Sequence, residues 1–106
     1  MKPTQKVRAL EIFEHYGLES QFGQLTEECA ELIQAVNKFK RACKGGDYRA
    51  ARDELLGELA DVKIMIAEFE TGFFGSEAVD RVVDAKLGRQ ARRIRDEKAA
   101  RNSQPR

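Results

Sequence analysis

One apolar line constrains this chain more than anything else in it. Phe22, Leu25, Cys29, Leu32, Val36, Phe39 and Cys43 recur at alternating steps of three and four, and only an α-helix of about six turns puts such residues on one side. A strand would send alternate residues to opposite faces and break the line. The helix is expected to open at a Ser20 cap and run to about Lys44.

Three further segments carry the same spacing. Val7, Leu10, Ile12, Phe13 and Tyr16 mark a first helix, with Thr4 as its expected cap and Gly17 as its stop. Gly45-Gly46 interrupts the pattern, and Asp47 is placed to cap a third helix along Leu55, Leu59, Val62, Ile66 and Phe69. Thr71 to Gly75 reads as a loop, after which Ser76 is expected to cap a fourth helix through Val79, Val82, Val83, Leu87 and Ile94. Nothing has the period of a strand. The expected fold is all-α: four helices in a single domain over residues 1–98, followed by a flexible tail over 99–106 where the apolar spacing stops.

Composition narrows the function classes. A chain of 106 residues supports one modest core, and small helical domains often gain stability by association. The net charge of +1 supplies no global field toward nucleic acid or a membrane. The sign is unevenly spread, however, with acids crowding the middle and bases dominating from Arg81 onward. That basic stretch lacks interleaved aromatics, so a nucleic-acid binder is not expected. No apolar run approaches the ~20 residues of a membrane span, and no apolar segment follows the charged start as in a secretory signal. Cys29 and Cys43 on one helix lie about 21 Å apart, too far to bridge. A reducing, cytoplasmic setting is the expectation.

The chemistry lies in a pattern that occurs twice. Glu28-Cys29-Ala30-Glu31-Leu32 and Glu58-Leu59-Ala60-Asp61-Val62 both read acid, apolar, alanine, acid, aliphatic. Acids three apart are neighbours on one helix face, and each precedes a member of the apolar line, so each flanks the buried seam. A single such pair is ordinary solvated surface. Two matched pairs beside facing seams bring four carboxylates together if the second and third helices pack antiparallel, and their mutual repulsion calls for a cation. All-oxygen ligands suit Mg²⁺ or Mn²⁺ and not zinc, and the sole histidine, His15, has no partner for a metal site. Along the same helical lines lie Gln24 and Lys38 on the second helix and Glu54 on the third. Cys29, between two acids, reads as a small buried apolar residue. Phe13 and Tyr16 read first as core and second as a base pocket. Lys86, Arg89 and Arg93 form a cationic face on the fourth helix.

The segment Gln24-Leu25-Thr26-Glu27-Glu28-Cys29-Ala30-Glu31-Leu32-Ile33-Gln34-Ala35, followed by Glu58-Leu59-Ala60-Asp61-Val62, resembles the MazG-like branch of the all-α NTP pyrophosphatases, over roughly residues 21–93. The resemblance implies a four-helix bundle completed by dimerisation, as a homodimer or a dimer of dimers. It implies Mg²⁺ on Glu28, Glu31, Glu58 and Asp61, and hydrolysis of (deoxy)nucleoside triphosphates to monophosphate and pyrophosphate, in keeping with nucleotide-pool house-cleaning. Water would attack between the α- and β-phosphates, with Glu31 or Glu27 as base. Lys38 matches a lysine frequent in the family, and Lys86 and Arg89 resemble the pair that grips the triphosphate. The asparagine some relatives carry between that pair is absent here. Gln24 would meet a base or order a water. A dUTP/dCTP-type hydrolase or a phosphoribosyl-ATP pyrophosphohydrolase is the alternative branch, though the latter's lysine before the first acid pair is missing. A non-enzymatic helical interaction module is the alternative class.

Overall fold

The computed structural model describes residues 1–103, and among these the chain is all-α with no strand. The elements are α1 (Pro3–Tyr16), α2 (Leu18–Ala42), α3 (Tyr48–Phe69), a π-helical turn (Glu70–Phe74) and α4 (Ser76–Asn102). They divide into two compact units, Met1–Phe74 and Gly75 onward. No helix among the described residues is long and apolar enough to cross a membrane.

Local chemistry sets most boundaries. Gly17, at φ 88°, ends α1 by donating its N–H to Phe13 O at 2.8 Å and starts α2 by accepting from Gln21 N at 3.1 Å. A side chain would be strained at that φ, so glycine alone turns the corner cheaply. Asp47 Oδ1 accepts from Arg49 N at 3.1 Å and caps α3 as expected. Three expected caps are displaced. Pro3, not Thr4, opens α1, because proline suits the first helical position and Gln5 Oε1 already accepts from Lys2 N at 2.8 Å. Ser20 lies inside α2, which Gly17 lets begin earlier. Gly75, at φ 87°, precedes α4, and no side chain caps that helix.

The expected loop over Thr71–Gly75 is mostly the π-helical turn. Thr71 Oγ1 donates to Ala67 O at 2.8 Å within it, and Gly72 lies against Phe13, whose ring a Cβ at Gly72 would strike. Helix α4 continues four residues beyond Lys98 to Asn102. Residues 104–106 of the expected tail lie outside the described residues.

In the first unit α3 packs along both α1 and α2. The core is Phe13, Met65 and Phe69, with Leu18 and Leu25 against it. The faces that meet keep Leu25, Leu32, Phe39, Leu55, Val62 and Phe69 of the expected lines, and in place of each other member they cover the residue before it. On α2 the covered residues are Leu18, Gln21, Leu25, Glu28, Leu32, Ala35, Phe39 and Ala42. On α3 they are Ala51, Leu55, Glu58, Val62, Met65, Ala67, Glu68 and Phe69. Phe22, Val36, Leu59 and Ile66 are instead 40–48 % exposed, and Cys29 and Cys43 are exposed thiols. Cys29 is therefore not the buried apolar residue its neighbours suggested. Tyr16 leaves the core too, 60 % exposed and edge-on to His15.

One end of the α2–α3 seam is polar. Gln21 Nε2 donates to Glu68 Oε1 at 2.7 Å and lies 4.0 Å from Met65 Sδ. Gln21 is 4 % and Glu68 1 % exposed, so each must find its partner inside. Burial pushes the Glu68 carboxyl above its ordinary value of 4.5, and the Gln21 hydrogen bond pulls part of the way back. The folded chain therefore keeps a proton that the unfolded chain releases. This contribution to stability is complete below about pH 4.5 and is lost as pH rises through the folded-state value. Glu68→Gln keeps an acceptor for Gln21 but has no proton to lose. Urea unfolding between pH 4 and 8 should show a shallower decline of stability with pH for this variant than for the parent protein. Equal slopes would contradict the assignment.

Candidate metal centre between α2 and α3

Glu28 and Glu31 stand one turn apart on α2, as Glu58 and Asp61 do on α3. The two helices run antiparallel. Gln21 meets Glu68 at one end, Lys38 meets Glu54 at the other, and the four acids lie between. One carboxylate oxygen each from Glu28, Glu31 and Glu58 lie within 4.8 Å of one another. Asp61 stands near this group, and the Glu28 carboxylate acts on both Asp61 and Glu58, helping to raise their pKa values. Glu28 is thus the hub of the cluster.

The inward turn of α2 and α3 has an electrostatic consequence. Glu28 and Glu58 sit on the covered lines, and Glu28 Oε2 and Glu58 Oε2 are both buried without a hydrogen-bond partner. Loss of solvent raises the Glu58 pKa, and the Glu31, Glu28 and Asp61 carboxylates raise it further. Asp61 is raised first by loss of solvent and then by Glu28. Buried, unpartnered carboxylate oxygens are costly, and a hard divalent cation is the partner their chemistry fits. The donor set suits Mg²⁺ or Mn²⁺.

Beside the acids opens a cleft of about 370 Å³, lined by Glu31, Gln34, Ala35, Lys38, Glu54, Gly57, Glu58 and Asp61. Lys38 is the only cation of that lining. It pairs across the helices with Glu54 at 3.3 Å, with both side chains about half exposed. Gln24 donates Nε2 to Glu28 Oε1 at 2.9 Å, so it orients the hub carboxylate rather than facing the cleft. Glu27 is exposed on α2. Phe13 is core. Lys86, Arg89 and Arg93 are exposed on α4, in the second unit, where Arg93 Nη1 donates to Gln90 Oε1 at 3.3 Å.

Three features of this region escape the sequence reading. Gln34 and Gly57 line the cleft, and Glu54 is committed to Lys38. Glu54 had a signal, since it lies one turn before Glu58, but its partner is 16 positions away and no helical period connects the two. Compared with known proteins, the chain matches no family model, no curated protein and no solved structure.

Proposed function

We propose that the α2–α3 cleft binds Mg²⁺, or Mn²⁺ in its place, on Glu28, Glu31, Glu58 and Asp61, and that the protein hydrolyses (deoxy)nucleoside triphosphates to monophosphate and pyrophosphate. One observation carries the cation: two buried carboxylate oxygens, on Glu28 and Glu58, have no hydrogen-bond partner inside an acid cluster. The repeated acid pairs and their resemblance to MazG-like pyrophosphohydrolases support the reaction. A bound divalent ion would supply Lewis acidity at the phosphoryl oxygens and lower the pKa of a coordinated water.

The chain's own groups do the remainder. Gln24 holds Glu28 in its rotamer. Lys38 offers the cleft a positive charge for a phosphate. Glu31, at the cleft wall, or Glu27 beside Glu28, takes the proton from the attacking water. The half-exposed Leu56, Leu59 and Ile66 of α3 and Phe22 and Val36 of α2 favour a homodimer.

The test supplies purified protein with Mg²⁺ and a panel of (deoxy)nucleoside triphosphates, and scores pyrophosphate. Release is expected with at least one substrate and is expected to vanish with EDTA. Orthophosphate in place of pyrophosphate, or no turnover across the panel, defeats the hydrolase reading.

A further inference from the structure

Glu54 is an acid in the cleft that belongs to no ligand pair, and its placement has a specific consequence. Lys38 has no carboxylate within one turn on its own helix: Gln34 precedes it, and Arg41 and Ala42 follow. The nearest acid on its own face is Glu31, two turns back and about 10 Å along the axis. The group that holds the ammonium is Glu54 on the facing helix, 3.3 Å away. The pair lies on the lining of the same cleft as Glu31, Glu58 and Asp61. A carboxylate oxygen therefore already occupies the position beside Lys38 that a phosphate oxygen would take. Both side chains are about half exposed, so the pair is weak and exchangeable.

We infer that Glu54 is the resident counter-ion of Lys38, exchanged for a phosphate oxygen when a polyphosphate enters the cleft, and that it thereby limits how tightly the cleft holds pyrophosphate. This rests on the hydrolase reading for its biological setting but not for its measurement. When a phosphate takes Lys38, the Glu54 carboxylate is left facing added negative charge, so its presence weakens retention of the anion. A ligand with more negative charge competes better for the ammonium than one with less. Glu54 is thus placed to favour release of a pyrophosphate product, and it acts through Lys38 rather than on the reacting atoms.

The experiment measures binding of inorganic pyrophosphate in the presence of Mg²⁺ by titration calorimetry. It compares the parent chain, Glu54→Gln, Lys38→Ala and the double variant, with the Mg²⁺-dependent rise in melting temperature recorded for each. Glu54→Gln is expected to tighten pyrophosphate binding by about three- to fivefold, the range of a half-exposed ion pair. In the Lys38→Ala background the same change should have less than half that effect, and the Mg²⁺-dependent rise should be unaltered by Glu54→Gln. Unchanged or weaker pyrophosphate binding in Glu54→Gln overturns the inference. So does an equal gain without Lys38, which would make Glu54 a general repulsive charge, and so does a lost Mg²⁺ response, which would make it a ligand. A parent chain that does not bind pyrophosphate with Mg²⁺ also overturns it. A parent chain that binds pyrophosphate but cleaves no nucleotide defeats only the hydrolase reading.

Discussion

Glu28→Gln is expected to lower pyrophosphate release by roughly three orders of magnitude, and to make the metal-free protein more stable than its parent. The two effects share one cause. Glu28 is the carboxyl that stands beside both Glu58 and Asp61, and its Oε2 is buried without a partner. Replacing it with an amide removes one of the crowded negative charges and supplies N–H donors to its neighbours, which relieves the metal-free fold. The amide oxygen still accepts from Gln24 at the position Oε1 now holds, so the local packing is kept. The variant has only three carboxylates for a cation. Its melting temperature should therefore be higher than the parent's in EDTA and should respond little to Mg²⁺. A residue important only for folding would behave in the opposite way, with lower stability in EDTA and an unchanged Mg²⁺ response. That pattern would remove Glu28 from the proposed metal site.

Phe69→Ala is expected to cost about 3–5 kcal/mol in unfolding free energy, a large share of what a domain of this size possesses. Phe69 is 7 % exposed and is one of the three large apolar residues at the centre of the first unit. Its ring meets Phe13 edge-on at 5.5 Å and Phe22 at 5.2 Å, tying α3 to α1 and to α2. Truncation removes both contacts and leaves a void that the π-helical turn after Phe69 is poorly placed to fill, because Gly72 is already against Phe13. The denaturation midpoint in urea should fall with little change in slope. Phe22→Ala, whose ring is 48 % exposed, should cost clearly less. Equal costs for the two would mean that the aromatic cluster, and not the Phe13–Met65–Phe69 centre, carries the stability.

These expectations draw unequally on sequence and fold. Helix number and most helix ends follow from local chemistry. Gly17 must turn the chain at positive φ, Asp47 can satisfy an open N–H at the start of α3, and apolar steps of three and four admit only helices. That acids of α2 and α3 come together was legible as well, from pairs one turn apart on two helices that pack antiparallel; that Glu28 and Glu58 lie on the covered lines and not beside them was not.

Which edge of each helix faces inward was decided only in three dimensions. Hydrophobicity alone favours Cys29 over Glu28 and Phe22 over Gln21, and the packed structure reverses both choices. The line that packs inward carries the buried Gln21–Glu68 hydrogen bond and the small Ala35 side chain, and it buries one oxygen each of Glu28 and Glu58. Pairings across the seam, Lys38 with Glu54 above all, depend on the axial register of two helices. Helical periodicity determines which residues of one helix share a side; it carries no information about what stands opposite them, because that is settled by the packing of both helices together.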